Sequence, residues 1–355
     1  QMEAEYTAAL RKIEEADEAI AAAVEKRARA SLEAAAIRAK DPERFFARQR
    51  EADVVTTFLE RVPSLKERGA RAVVREVISA CEALVAPRTI VYLGGEGSFG
   101  HYAGRERFGA SAVYESVSSA DDALGRLMRE QAAFAVLPLE TSSDGAVTAT
   151  LHGLAKSEAQ LCGEIGVPAT YSLWVEDAES ASMEKVARVY GTRLALAACE
   201  DYLARNLGEA TLIDVPTAAD AVKLVAGDGE AAAIGSALLG TKLQSLASAI
   251  EDEPVSLRFA VVGHQLPSRT GADRTLVSMA MSDDPGALYS CLKPLADRGI
   301  NLTRVESRPA AGGPWRYLFF VEMDGHVTDR SLLTGLEELR SVCSHVRILG
   351  SYPKP

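Results

Sequence analysis

The chain has little that would tie it to a membrane, a metal or a nucleic acid. Nowhere do roughly eighteen apolar residues run together, the least a spanning helix needs. Cysteine is scarce and scattered, at Cys81, Cys162, Cys199, Cys291 and Cys343. An odd, dispersed set points to reduced thiols and excludes a disulfide framework or a thiolate cluster. The 5 histidines show no ligand spacing, so neither a metal nor another cofactor is expected. Basic residues are in deficit, 39 against 50 acidic, for a formal charge of -11. Such a surface repels phosphate backbones, which argues against a nucleic-acid partner. A locally basic pocket for a small anion remains compatible with it. The opening Gln1 to Glu5 lacks the basic and apolar regions of a signal peptide, so the expectation is a cytoplasmic protein without a membrane partner.

With 47% hydrophobic residues, the 355-residue chain can bury two or three cores. It opens on good helix formers: residues 7 to about 40 hold no Gly or Pro and are rich in Ala, Glu, Lys and Arg. At 1.5 Å per residue this helix is about 50 Å long. Steps of three or four place Leu10, Ile13, Asp17, Ile20, Val24, Arg27, Ser31, Ala34 and Arg38 on one face. Charges on such a stripe need partners or a ligand. Two arginines there could hold a dicarboxylate, or the stripe could be the edge of a bundle. Two further helices are expected over roughly 43–62 and 68–86. Three helices with one so long bury themselves best in a dimer.

Pro87 ends the helices, and alternation of strand and helix follows. Thr89 to Leu93 reads as a buried strand, and Gly94-Gly95-Glu96-Gly97-Ser98-Phe99 leads into a helix near Ser98. The glycine spacing fits neither a dinucleotide loop nor a P-loop. Phe134 to Pro138 is the next strand, running into the hydroxyl-rich Glu140-Thr141-Ser142-Ser143 turn. A second lobe begins with a strand at Thr170 to Val175. It continues with a helix over Leu194 to Leu203, a Thr217-capped helix and a strand ending at Gly235. Leu257 to Gly263 returns as a strand. Two lobes with helix N-termini lining a cleft suit a small polyanion. The remainder reads βαββαβ, with the Asp283-Asp284-Pro285-Gly286 helix start, Glu306-Ser307-Arg308-Pro309 after its second strand, and a third strand from Arg316.

In order and spacing the chain resembles the bifunctional chorismate mutase/prephenate dehydratase family with a C-terminal ACT domain. The matching elements are Ile13, Asp17, Ile20, Arg27, Arg38 and Arg50-Glu51 in the helices. In the middle they are Ser98-Phe99, Pro138, Glu140, Ser142, Gly145, Val147, Gly163-Glu164-Ile165, Thr217-Ala218 and Arg258-Phe259. At the end they are Gly286-Ala287-Leu288 and Glu306-Ser307-Arg308. The resemblance implies a multidomain fold. An all-α mutase-like domain covers 1–87, a two-lobed α/β domain of periplasmic-binding-protein-like form covers 88–268, and an α+β ACT domain covers 272–355.

It implies conversion of prephenate to phenylpyruvate, water and carbon dioxide, chorismate as a second substrate, phenylalanine as effector, and a homodimer or homotetramer. Ser98, Glu140, Thr141, Ser142, Thr217, Arg258 and Phe259 inherit the catalytic cleft, with Arg258 gripping a substrate carboxylate. Arg11, Arg27, Arg38 and Glu51 inherit the mutase pocket. Gly286, Ala287, Leu288, Glu306, Ser307 and Arg308 inherit the phenylalanine site.

The departures fall on chemistry. Where the family carries Asn-x-Thr-Arg-Phe, this chain reads Val255-Ser256-Leu257-Arg258-Phe259, and leucine cannot donate the proton expected of the threonine. Gly95 and Gly100 replace a proline and a serine. In the mutase segment Leu10, Ala47 and Val85 replace an arginine, an aspartate and a glutamine. Ser256, His101, His264 and Thr192 are other candidate donors, though Ser256 would need a local bulge to share a face with Leu257. Two alternatives stand beside the dehydratase: a decarboxylase that keeps the hydroxyl, and a silent phenylalanine-responsive protein.

Overall fold

The computed structural model describes residues 2–40, 51–143, 145–282, 284–309 and 317–354. It divides into two compact units, 1–88 with 107–113, and 89–106 with 114–355. The first is helical: α1 (Met2–Lys40), α2 (Glu51–Arg61) and α3 (Glu67–Val85). The first half of the helix expected over 43–62 lies outside the described residues. Helix α3 packs on both neighbours and buries Ala70, Val74, Ser79 and Cys81. On α1 the burial is confined to the C-terminal half, around Ala28. Toward the N-terminus the stripe is open, with Leu10, Ile13 and Ile20 at 41%, 56% and 61% exposure. Among the described residues of this unit nothing covers it.

The second unit begins with a lobe built of β1 (Thr89–Leu93), α4 (Phe99–Phe108), β2 (Val113–Val117), α5 (Ala120–Met128), β3 (Phe134–Thr141), β4 (Gly145–Ala146), α6 (Thr148–Lys156) and β5 (Gln160–Pro168). A second lobe follows: β6 (Ser172–Val175), β7 (Arg188–Gly191), α7 (Arg193–Ala198), α8 (Glu200–Asn206), β8 (Thr211–Asp214), α9 (Ala218–Val225), β9 (Ala231–Gly235) and β10 (Gln244–Ser248). The single helix expected over 194–203 is broken at Cys199, whose backbone leaves the helical region at ψ 18. The chain returns through β11 (Ser256–Gly263), and a C-terminal module closes it: β12 (Asp273–Ala280), α10 (Ala287–Ala296), β13 (Leu302–Pro309), β14 (Tyr317–Asp324), α11 (Arg330–Val342) and β15 (His345–Pro353). The βαββαβ order is as the sequence reads.

One sheet runs through the first lobe and the C-terminal module, in the order β13-β14-β12-β15-β5-β11-β3-β1-β2. The join is the parallel pairing of Gly350 with Leu161. A Cβ at Gly350 would collide with the Leu161 carbonyl, so glycine permits the approach. One face of this sheet packs Leu137, Leu139, Leu161, Ala260 and Val262 with α5 and α6 and with Leu276, Phe320, Leu349 and Tyr352 of the module. The opposite face of the module's strands, carrying Val277, Met279, Val321 and Met323, takes α10 and α11. The second lobe has its own sheet, β10-β6-β9-β7-β8.

One irregularity matters for the site. Strand β11 pairs Leu257 with Thr141, Arg258 with Glu140, then Phe259 with Pro138. Leu139 is the extra residue of a bulge on β3, and its carbonyl accepts the Val147 N–H at 2.9 Å. Val136 pairs with Val261 and lies beside α4, close to Gly104. Plain alternation from Val136 would put Thr141 on the opposite face. The bulge resets the phase, so Thr141 and Leu257 share the α4 face with Phe259 and Val261.

Candidate functional site

In a parallel α/β sheet, ligands bind beyond the carboxyl ends of the strands. Here β1 and β3 run parallel, as do β7 and β9, and the loop leaving β1 meets the residue that follows β9. The Gly94–Ser98 loop of the first lobe lies against the start of α9 in the second. A Cβ at Gly95 would stand 2.5 Å from Thr217 Cγ2, and one at Gly97 about 3 Å from Leu239 and Ala218. Ser236 donates its hydroxyl to the Gly97 carbonyl at 2.8 Å. Phe99 meets Tyr171 edge to face at 5.1 Å. Beside this seam is a hollow of about 50 Å³ walled partly by Glu96, His101, Arg105 and Lys242. The glycines at 95 and 100 thus have a packing cause: a Cβ at Gly100 would come within 2.5 Å of the Leu93 carbonyl.

The hydroxyl groups expected in the cleft are present, each with a local role. Ser98 accepts the His101 N–H at 3.3 Å at the start of α4. Thr217 caps α9, accepting the Asp220 N–H at 3.2 Å and donating to the Asp220 carboxylate at 2.7 Å. That bond and one from Lys223 hold the Asp220 carboxyl below its usual range. Ser142 ties β3 to β11, its N–H donating to the Ser256 carbonyl at 2.9 Å and its Oγ accepting the Ser256 N–H at 3.0 Å. Thr141 and Ser143 share a hydrogen bond at 3.2 Å. Phe259 is buried beneath them. Of the other donors considered, Thr192 caps α7 and His264 is exposed. His101 stacks on Tyr92 at 4.8 Å and accepts the Gly97 N–H. Burial, with Arg105 beside it, lowers the His101 pKa and favours the neutral ring.

Arg258 is placed otherwise than a free carboxylate clamp. Being next to Leu257 on a strand, it points to the opposite face, toward the C-terminal module. It bonds Glu140 at 2.5 Å, Glu164 at 2.5 Å and Glu322 at 2.8 Å. Arg274 joins Glu164 at 2.8 Å, and Arg304 lies 3.1 Å from Glu140. Thr303 and Tyr352 donate to Glu322 at 2.7 and 3.2 Å. Three guanidinium groups therefore face three carboxylates, leaving no surplus charge for an anion. Burial alone would raise the Glu322 carboxyl, but Thr303 and the guanidinium groups of Arg258 and Arg304 hold it below its usual range. Burial likewise opposes the charge on Arg258, yet Glu164 and Glu322 outweigh it and fix the cation. Glu140 thus belongs to this ion network. Arg274, Arg304 and Glu322 are its members that the motifs do not single out. Their signal is a charge inside an apolar strand, as in Val321-Glu322-Met323, which must be partnered when buried.

The other two expected sites are not assembled within the described residues of one chain. On α1, Arg11 is exposed, while Arg27 turns inward to the Val77 carbonyl at 3.4 Å. The side chains of Arg38 and Glu51 lie outside the described residues. In the C-terminal module, Gly286 takes the left-handed φ of 83 and opens α10, with Ala287 half-buried and Leu288 at the surface. Arg308 pairs with Glu306 at 2.6 Å and donates to the Ala146 carbonyl at 3.2 Å. Glu306 is in register with Phe320, so both side chains face away from α10, while Ser307 is exposed. No metal-binding cluster of His, Cys, Asp and Glu occurs among the described residues. No helix among them is long and apolar enough to cross a membrane.

Comparison with known proteins agrees with this architecture. The prephenate dehydratase family model matches residues 90–266, and the chorismate mutase type II model matches residues 10–85. The chain is 34% identical to a bifunctional chorismate mutase/prephenate dehydratase of Stutzerimonas stutzeri, covering 99% of both chains. It is 38% identical to one of Neisseria gonorrhoeae, over 79% of this chain and 78% of the other. Among solved structures, prephenate dehydratase of Arthrobacter aurescens in complex with L-Phe superposes with a TM-score of 0.66 at 32% identity, covering 75% of this chain and 90% of that one. The chain belongs to the bifunctional chorismate mutase/prephenate dehydratase family.

Proposed function

We propose that the chain converts prephenate to phenylpyruvate, water and carbon dioxide in the cleft between its two α/β lobes. The carrying observation is the seam of helix starts and hydroxyl groups at the strand ends, in a chain related along its length to bifunctional enzymes. Helices α4 and α9 start there, and the free N–H groups and dipole of a helix start favour an anion. Aromatisation drives the reaction, so the protein needs to orient the dianion and assist hydroxide departure.

The N-terminal unit serves as the mutase-type partner, and its open Leu10–Ile13–Ile20 stripe is covered by a second copy in a homodimer or a larger homo-oligomer. The C-terminal module acts as an ACT-type phenylalanine sensor. The Arthrobacter relative's complex with L-Phe supports this reading. Because Glu306 and Gly286 lie toward opposite faces of one module, a site using both elements needs two chains. Cytoplasmic residence fits the same reading.

Product analysis at neutral pH tests the lyase. Phenylpyruvate supports it. Leu257 on the cleft face favours a second reading, a decarboxylase that spares the hydroxyl, and a non-aromatic decarboxylated product would establish that instead. No turnover above background would remove both. Calorimetry with phenylalanine against tyrosine tests the sensor, and no phenylalanine binding at millimolar concentration would sink it.

A further inference from the structure

Removing a hydroxide at neutral pH calls for a proton donor at the departing oxygen. Leu257 cannot be one. Its cross-strand neighbour in register is Thr141, and such neighbours hold their Cβ atoms about 5 Å apart on one face. That they share a face is fixed independently by the next pair along. Arg258 and Glu140 bond at 2.5 Å, so they lie together on the opposite side. The Leu139 bulge is what turns Thr141 to the α4 side, and bulges beside active sites commonly re-aim a side chain. Glu140 is held by Arg258 and Arg304, Ser142 by Ser256, and Thr217 by Asp220. Thr141 shares a hydrogen bond with Ser143, which is exposed, so the two hydroxyls run from solvent toward the strand floor.

We propose that Thr141 is the proton donor of the dehydration, the hydroxyl having its place on β3 across from Leu257 and not on β11. This rests on the reading of the chain as a prephenate dehydratase. In the step, the bond from the ring to its carboxylate breaks and carbon dioxide leaves. That electron pair completes the aromatic ring as the carbon–oxygen bond at the hydroxyl breaks. The oxygen takes the Thr141 proton and departs as water. Ser143 passes a proton from solvent water to restore Thr141. The dianion plus one proton thus gives the phenylpyruvate anion, carbon dioxide and water.

The test is steady-state dehydration by Thr141→Val, Thr141→Ser and the double variant Thr141→Val with Leu257→Thr. Valine keeps the shape and removes the donor. The valine variant should lose about 10²-fold or more in kcat with KM nearly unchanged. Serine should stay within about tenfold of the parent, and the double variant should regain at least about tenfold over the valine variant. A valine variant within about threefold of an active parent overturns the assignment while leaving the dehydratase reading in place. A double variant as inactive as the valine variant, with serine equally inactive, also overturns it, since the hydroxyl would then not be the feature lost. A parent that gives no phenylpyruvate overturns both together.

Discussion

Replacing Glu322 by Ala should destabilise the second unit severely. The Glu322 side chain is 2% exposed and meets Arg258 at 2.8 Å, Thr303 at 2.7 Å, Tyr352 at 3.2 Å and Arg274 at 3.8 Å. Its loss leaves three guanidinium groups facing two carboxylates and takes the partner from a fully buried tyrosine hydroxyl. Removing one member of a buried ion pair costs about 3–5 kcal/mol, because the remaining charge is left desolvated. With a urea slope of about 3 kcal/mol per molar for a chain of this size, the midpoint should fall by about 1–1.7 M. Glu322→Gln keeps the acceptor for Thr303 but not the charge, and should fall about half as far. Glu230→Ala is the control: its pairing with Arg188 is 66% exposed on the glutamate side and should move nothing measurable. Urea titration by far-ultraviolet circular dichroism, with hydrogen exchange on residues 317–324, reads the effect. A shift below about 0.3 M in the alanine variant would refute the claim that this network holds the module to the first lobe.

The same carboxylate gives a pH prediction. Its folded pKa lies below the unfolded value of about 4.3, so its contribution is fully present above that value. It is lost as pH falls through the lower folded pKa, and Glu322→Gln should flatten that limb of a stability–pH curve. Gly95→Ala should cost about 1–3 kcal/mol, because the new methyl overlaps Thr217 Cγ2; adding Thr217→Ser, which removes that carbon and keeps the cap, should restore stability, and failure to restore it would mean the lobes do not meet there. Ile13→Lys, at a position 56% exposed in one chain, should leave helicity intact and shift sedimentation toward a smaller species. An unchanged sedimentation coefficient would show that the stripe is not an interface between copies.

Much of the architecture was legible in the residues because it is set locally. The Gly-free and Pro-free run over 7–40 had to be a helix, Thr217 had to cap where it does, and the β-rich stretches from Thr89 and Phe134 fell as strands. The motifs also identified the family. What sequence could not decide is which neighbour a strand side chain meets, since that depends on pairing between residues far apart in the chain. Arg258 reads as a substrate clamp until register places it against Glu140, Glu164 and Glu322, the last 64 residues away in sequence. Glu140 and Thr141 read as neighbours in one motif, and only the extra residue at Leu139 shows that Glu140 pairs with Arg258 and Thr141 with Leu257. Joining the C-terminal module to the first lobe through one sheet rests on Gly350 and Leu161, a contact with no local signature. Local propensity determined the elements and their order; long-range strand pairing alone decided which charges neutralise one another and which hydroxyl shares a face with Leu257.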